Sequence, residues 1–506
     1  MAVFVAFLVL PLAFLVLELL MFKSTQKYLP HLTTLLSFLL LILLLIVFKI
    51  PNFELFKISL VAKVPIDISF KMDHLAWMAC FFCCIVWLAS SMFSIYYMKH
   101  ETYTKTKRYQ VFSILNLYVI LMIFVSSNMI TYFIFFELLL IVSYILIIHY
   151  QTPETFAAGM RYLFFQIIGG LILLFGVILT YAVLKTTTFT PGGNPFLIQN
   201  SSAINPLLPS LIFWCYVIGF AIKAGLFPVH IWLPEAHPVA PAPASALLSG
   251  MVIKTGTFGL MRVFMELFGL RNLAGRTDVI VLIILAIFTM FWGSAIAIGQ
   301  GHLKRVLAYS SVSQVGYIIM GIAFLSPLSM LGALLHTLAH SLVKSLLFLS
   351  AGSIVDDSGE VDVSKIDGYG MKNPFVFSAF TLGALSMIGF PLLVNFITKW
   401  TLGVGTIEAY RMGLFSFWIF ITALSVLLIS SILNAAYYAP IIIRGWFYPP
   451  ADSQTKRFPL HVSQVISLSL LMILVVGLGI VSGPFISNSI KALSTVIPFT
   501  DFPSPF

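Results

Sequence analysis

The chain has 506 residues, of which 60% are hydrophobic and only 9% charged, and its mean hydropathy is +1.04. A soluble domain carries roughly 25% charged residues, so this composition excludes an ordinary water-soluble enzyme. The 28 Lys and Arg against 18 Asp and Glu give a formal charge of +10, which in a chain this apolar reflects basic loops on the cytoplasmic side of a membrane and not a nucleic-acid surface.

Apolar runs of about 20 residues recur from end to end, which predicts an all-α polytopic membrane protein. The alternating strands of a transmembrane barrel are not apparent. About fourteen transmembrane helices are expected, near 2–22, 31–50, 74–98, 109–127, 129–149, 158–184, 207–230, 240–268, 278–299, 303–325, 328–355, 374–404, 412–444 and 461–490. The first run lacks a basic start and a small-residue cleavage site, so it reads as a retained span. Cys80, Cys83 and Cys84 form C-x-x-C-C inside the third span, and Cys215 lies alone. With no second ligand pair nearby they read as core side chains, against zinc or an iron–sulfur cluster as the competing site.

Loops after odd-numbered spans hold Lys23, Lys27, Lys99, Lys105, Lys107, Arg108, Lys304, Arg305, Lys365, Lys372, Lys456 and Arg457. Loops after even-numbered spans hold fewer: Lys57, Lys63, Lys71, Lys185, Arg271, Arg276 and Arg411. The positive-inside tendency therefore places the odd loops in the cytoplasm and both termini on the outer side of the cell membrane.

Two spans look broken: the seventh at Pro228 and Pro234, and the twelfth at Gly389 and Pro391. Proline removes a backbone donor and clashes with the preceding turn. Interruptions at matching places in two halves point to repeats with an ion path between them. The expected organisation is an N-terminal three-helix region (1–108), a first five-helix repeat (109–268), a second, inverted five-helix repeat (269–444), and a C-terminal helix and tail (445–506). Harmless proline kinks are the plainer alternative.

Charges inside the spans carry the most information, because each costs roughly 2.5–3.5 kcal/mol at a helix centre. Glu137, Lys223, Lys254, Lys344 and Lys399 all lie in apolar runs. One acid and four lysines spread over five spans suggest a relay along the bilayer midplane, with Glu137 and Lys223 as a pair. Snorkelling lysines or static buried ion pairs are the alternative for each one taken singly, Lys399 above all. His336, His340 and Lys344 are spaced i, i+4, i+8, so they share one helix face over about 12 Å. Imidazole suits a proton wire; structural hydrogen bonding and a metal site compete, although Lys344 would repel a cation. His230, His237 and His302 lie near span ends, with His237 either at a water-filled entrance or in a plain loop.

Several stretches together resemble a known family. HLKRVLAYSSVSQVGYIIMGI (302–322), IKAGLFPVHIWLPEAHPVAPAPASALLSGMVIKTGTFGLMRVF (222–264) and LLHTLAHSLVKSLLFLSAGSI (334–354), with FFELLLIVSYILI (135–147) and GFPLLVNFITKW (389–400), are similar to the antiporter-like subunits shared by respiratory complex I, Mrp-type cation/proton antiporters and energy-converting membrane-bound hydrogenases. The resemblance implies fourteen helices in two inverted five-helix repeats, with broken seventh and twelfth helices and outer termini. It also implies that Glu137, Lys223, Lys254, His336, His340, Lys344 and Lys399 occupy the family's polar axis. Two positions depart from the pattern: Phe136 stands where tryptophan often precedes the glutamate, and Asn395 where glycine is usual. The length resembles the shorter, middle type of member, and HPVAPAPASALLSG resembles the Mrp and hydrogenase branch.

The expectation is therefore a proton-translocating subunit of a multi-subunit redox-driven or Mrp-type complex, with no cofactor on this chain. Its partners would be other membrane subunits, homologous antiporter-like ones or small ones among them, a peripheral redox module, protons and lipid, and no nucleic acid. A sodium/proton antiporter subunit without redox chemistry is one alternative, although sodium needs oxygen ligands and buried carboxylates beyond Glu137 look scarce. A structural membrane anchor is the other.

Overall fold

The computed structural model describes residues 2–47, 53–61, 64–99, 102–359, 361–449 and 461–497. Lys63, Lys456 and Arg457, three of the charges used to orient the chain, lie outside the described residues. Helices α1 (Ala2–Leu20) and α2 (Leu29–Val47) precede a hairpin of β1 (Phe53–Val61) and β2 (Val64–Met72), followed by α3 (His74–Tyr97). Then come α4 (Tyr103–Phe124), α5 (Met129–Ile147), α6 (Pro153–Leu184), the short α7 (Phe196–Ile204), α8 (Leu208–Ala224) and α9 (Trp232–Val239). A nearly continuous helical run follows: α10 (Ala242–Leu247), a π-helical turn (Leu248–Val252), α11 (Ile253–Arg262), a second π-helical turn (Val263–Phe268) and the single turn α12 (Leu270–Leu273). The chain continues through α13 (Thr277–Ile298), α14 (Leu303–Ala323), α15 (Pro327–Ser358), the short α16 (Tyr369–Lys372), α17 (Pro374–Ile388), α18 (Val394–Arg411), α19 (Phe417–Phe447), α20 (Val462–Ile480) and α21 (Ser482–Ser494).

Among the described residues eleven helices are long and apolar enough to cross a membrane, and three shorter apolar helices accompany them: Phe4–Leu20, Leu208–Ala224 and Pro374–Ile388. The all-α expectation needs one correction, the hairpin. β1 and β2 pair antiparallel with Phe56 opposite Phe70 and Ile58 opposite Ile68. From Ile66 to Met72 apolar and polar residues alternate, which is the period of a strand. The hairpin is tied to the start of α5, since Asn128 donates to the Asp67 carbonyl (2.9 Å) while its own Oδ1 caps Thr131 N–H (2.7 Å).

The seventh span breaks three residues earlier than its prolines suggested. α8 ends at Gly225, whose φ of +84° is left-handed and favours glycine. The twelfth span breaks at Gly389, φ +98°, as expected, and α18 resumes after Leu392 at φ +70°. Backbone groups freed inside a membrane protein need internal partners. At the first break the Trp232 indole donates to the Ile222 carbonyl (2.8 Å). At the second, the Lys399 ammonium donates to the Met387 carbonyl (2.8 Å) and the Ile388 carbonyl (3.2 Å).

The run 242–268, α14 and α15 are almost wholly buried, whereas α6 and α19 turn apolar side chains such as Phe164, Leu171, Leu428 and Ile432 outward. That division fits a bundle whose rim meets lipid or partner helices. Polar side chains carried by α11, α14 and α15 are consequently interior.

Candidate ion-translocation site

Glu137 is half-buried on α5 and faces α6 at Gly170, where a Cβ would collide with the carboxylate. Glycine is the residue that leaves room for the acid. Lys223, in the last turn of α8, is buried, and among the described residues its Nζ has no hydrogen-bond partner. The ammonium instead lies over the Phe136 ring, 4.8 Å from its centroid, and 5.7 Å from that of Tyr162. Aromatic faces attract a cation, so Phe136 supplies a ring face to the Lys223 ammonium. The opposite charge acting on Lys223 is that of Glu137. The two are poised across a gap and not locked in a closed ion pair.

A second group is joined by contacts. The Lys254 ammonium donates to the Ser249 carbonyl in the first π-helical turn (2.8 Å) and lies 2.5 Å from His340 Nδ1. Two bases this close must share a proton, held by the lysine or by the imidazole. The His340 and His336 rings are nearly parallel, 13° apart with centroids at 6.0 Å. His336 Nε2 meets Gln314 Oε1 (2.9 Å) and Nδ1 meets Thr398 Oγ1 (2.7 Å). The Thr398 hydroxyl has one proton for two acceptors, His336 Nδ1 and the Asn395 carbonyl at 3.0 Å. A neutral ring can take that proton; an imidazolium would donate its own to Thr398 and turn the hydroxyl toward Asn395.

Tyr317 continues the array. Its ring stacks on His336 (5.6 Å) and lies 5.0 Å from the Lys399 ammonium, and its hydroxyl shares Ser431 Oγ with Lys399, each at 3.2 Å. Lys399 is buried and bonded to backbone at the helix break, so the snorkelling alternative does not describe it.

The structure thus brings Lys254, His340, His336 and Lys399 into one group, and Glu137 with Lys223 into another. Among the described residues no hydrogen bond joins Lys223 to the second group. Lys344 departs from the expected three-residue face: its ammonium turns to α14, donating to the Leu307 carbonyl (2.8 Å) and to Ser310, whose hydroxyl meets Tyr438 (3.0 Å). His237 is buried in α9, stacked on Phe348 at 4.6 Å, with no hydrogen-bond partner for either ring nitrogen among the described residues. The charges of Lys344, Lys304 and Lys254 all act on it.

Sequence reasoning missed Gln314, Tyr317, Thr398 and Ser431 because neutral polar residues do not stand out in an apolar run. It also undercounted buried carboxylates. Asp73 and Glu266 are buried with Arg262, which holds Asp73 through both guanidinium amines (2.7 and 2.8 Å) and Glu266 at 2.5 Å; Lys71 pairs with Glu266 at 2.8 Å. Burial alone would raise the Asp73 carboxyl, but the neighbouring Arg262 and Lys71 charges hold it well below the usual carboxylate range. Glu18 is buried in α1 beside Thr33 Oγ1 (2.9 Å). Arg262 and Glu266 lie i, i+4 inside a span and Glu18 near a span end, so the rule that singled out Glu137 could have found them. All four cysteines are buried and free.

The family described as NADH:quinone oxidoreductase/Mrp antiporter, TM, matches residues 126–433, a stretch that holds every residue of both groups. NADH-quinone oxidoreductase subunit N of Desulforudis audaxviator is 33% identical over 380 residues, covering 72% of each chain. Hydrogenase-4 component B of Escherichia coli is 30% identical over 347 residues, which span 66% of this chain but 50% of that one. In fold, a chain of the membrane-bound sulfane sulfur reductase, an archaeal respiratory membrane complex, superimposes over 97% of both chains with a TM-score of 0.82 at 24% identity. The similar identities to a quinone-oxidoreductase subunit and to a hydrogenase component do not set one branch apart.

Proposed function

The chain belongs to the NADH:quinone oxidoreductase/Mrp antiporter transmembrane family, and on that premise we propose that it moves protons within a multi-subunit membrane complex of complex I, hydrogenase or Mrp type. The path runs from Glu137 and Lys223 through Lys254, His340 and His336 to Lys399, with Lys344 and His237 as a branch facing Lys254. The observation that carries this reading is the interior array in which Lys254 contacts His340, His340 stacks on His336, and His336 and Lys399 share the Tyr317 ring, with Thr398 and Ser431 as their hydroxyl partners. A static anchor has no need of two bases 2.5 Å apart in an apolar interior, where an uncompensated charge is destabilising.

Eleven long apolar helices together with three shorter ones among the described residues support a count of fourteen crossings. The glycine breaks at Gly225 and Gly389 support two five-helix repeats, at 109–268 and 269–444. We place both termini outside, proton uptake on the cytoplasmic side and Lys399 near the exit. Redox chemistry, where the complex performs any, is assigned to partner subunits. The buried carboxylates Asp73 and Glu266 are engaged by Arg262 and Lys71, and the third, Glu18, lies on α1 outside both groups, which favours protons over sodium as the ion carried along this path.

The test uses the intact complex in sealed vesicles with Lys254→Met and, separately, Lys399→Met. Each should leave the driving reaction running while proton translocation falls to background. Transport that requires sodium in the wild type, or that survives both substitutions, would overturn the assignment.

A further inference from the structure

Away from both groups, a cavity of about 690 Å3 opens at the end of the bundle that carries the basic loops. Its polar lining comes from four parts of the chain: Ser24 and Lys27 after α1, His31 at the start of α2, Lys99 and Thr106 around the α3–α4 connection, and His461 at the start of α20. Lys27 and Lys99 are exposed, and among the described residues neither has a carboxylate partner; they lie instead against the Tyr28 and Tyr96 rings, at 5.0 and 5.8 Å. The neighbouring Lys107 is, by contrast, engaged by the Leu19 and Met21 carbonyls at 2.8 and 3.1 Å. His461 accepts Ser463 N–H at Nδ1 (3.3 Å), which leaves Nε2–H as its donor, and its ring is held flat on Tyr96 (4.9 Å, 19°). The cavity is thus rich in donors and in positive charge that no described carboxylate neutralises, at the end of membrane-spanning helices. The helices that begin at its rim, α2 and α20, carry exposed apolar side chains along their length, among them Leu35, Phe38, Ile42, Ile466 and Ile473.

We propose that this cavity binds the headgroup of an anionic phospholipid. Its phosphodiester sits against Lys27 and Lys99, its ester and glycerol oxygens accept from Ser24 and His461, and its acyl chains lie along α2 and α20. Basic recesses between transmembrane helices suit such headgroups, because surface attraction and hydrogen bonding act together. A lipid there would fasten the N-terminal helices to α20, whose described polar tie to α3 is the bond from Ser467 Oγ to the Ala89 carbonyl (2.6 Å).

The experiment is lipid retention by the purified intact complex after detergent stripping, with bound lipid identified by mass. Wild type and the Lys27→Arg/Lys99→Arg pair should retain an anionic, phosphatidylglycerol-class lipid. The Lys27→Gln/Lys99→Gln pair should bind it about thirty-fold more weakly, the loss expected for two surface lysines. Should the glutamine pair fail to assemble, the wild-type complex in phosphatidylcholine vesicles should gain thermal stability when phosphatidylglycerol is added and none when inorganic phosphate is added. Equal retention by the glutamine pair, a zwitterionic lipid in place of the anionic one, a partner polypeptide filling the cavity, phosphate acting as well as lipid, or no thermal gain would each overturn the proposal.

Discussion

Gly170 shows how closely a single atom can govern the proposed path. Alanine is the better helix former by about 1 kcal/mol, so Gly170→Ala should fold at least as well as wild type. Its methyl group would nonetheless push the Glu137 carboxylate out of position. Proton translocation should fall roughly ten- to hundredfold, the usual penalty for a misplaced reacting group, with thermal stability unchanged; unchanged pumping would remove Glu137 from the path. Thr398 offers a complementary test. Thr398→Val keeps the shape but removes the hydroxyl between His336 and Asn395. It should slow translocation more than Thr398→Ser, which restores the rotating proton, and equal rates in the two variants would exclude a switching role. The charged members of these groups were legible in the sequence because a charge in lipid needs a reason. Their neutral partners were not, since Thr398 and Ser431 are as compatible with plain helix packing as with proton exchange.

Among the elements, the two breaks and the hairpin were legible to different degrees. Prolines drew attention to the seventh span, yet Gly225 ends α8, because a left-handed residue terminates a helix wherever it occurs and proline merely follows. Gly225→Ala should therefore destabilise the protein by about 1–2 kcal/mol, measurable as a lower thermal midpoint, whereas Pro228→Ala should leave α8 ending at the same residue. The hairpin was hidden by its neighbours: seven alternating residues between two 20-residue apolar runs read as a connection, although the alternation from Ile66 to Met72 was visible. Its end is clamped by the Asp73, Arg262 and Glu266 cluster. Arg262→Leu would remove the cation shared by two buried carboxylates and leave Lys71 alone to neutralise both, a loss of about 3–5 kcal/mol read as a lower thermal midpoint. The same cluster carries a pH signature. Because Asp73 titrates lower in the folded chain than unfolded, its stabilisation is present above the ordinary carboxylate range near pH 4 and is lost as pH falls below it. Thermal melts from pH 6 to pH 3 should show a steeper decline in wild type than in Asp73→Asn; parallel declines would contradict the assignment.

At the scale of the whole molecule, membrane class and family were legible because composition and long motifs are global signals, insensitive to a misplaced helix end. The course of the path was less so. Spacing set His336, His340 and Lys344 on one face of α15, but α14 offers Lys344 a carbonyl and a hydroxyl and draws it aside, a tertiary contact that periodicity cannot anticipate. What results is two groups, an acid–lysine pair and a lysine–histidine array; among the described residues no hydrogen bond joins Lys223 to the array or His340 to His336. The most direct test of the account is proton uptake by sealed vesicles containing the intact complex, comparing wild type with Glu137→Gln and Lys223→Ala while the driving reaction is followed in parallel. Both variants should yield an assembled complex with translocation abolished or sharply reduced; full proton uptake in both would contradict a path through Glu137 and Lys223.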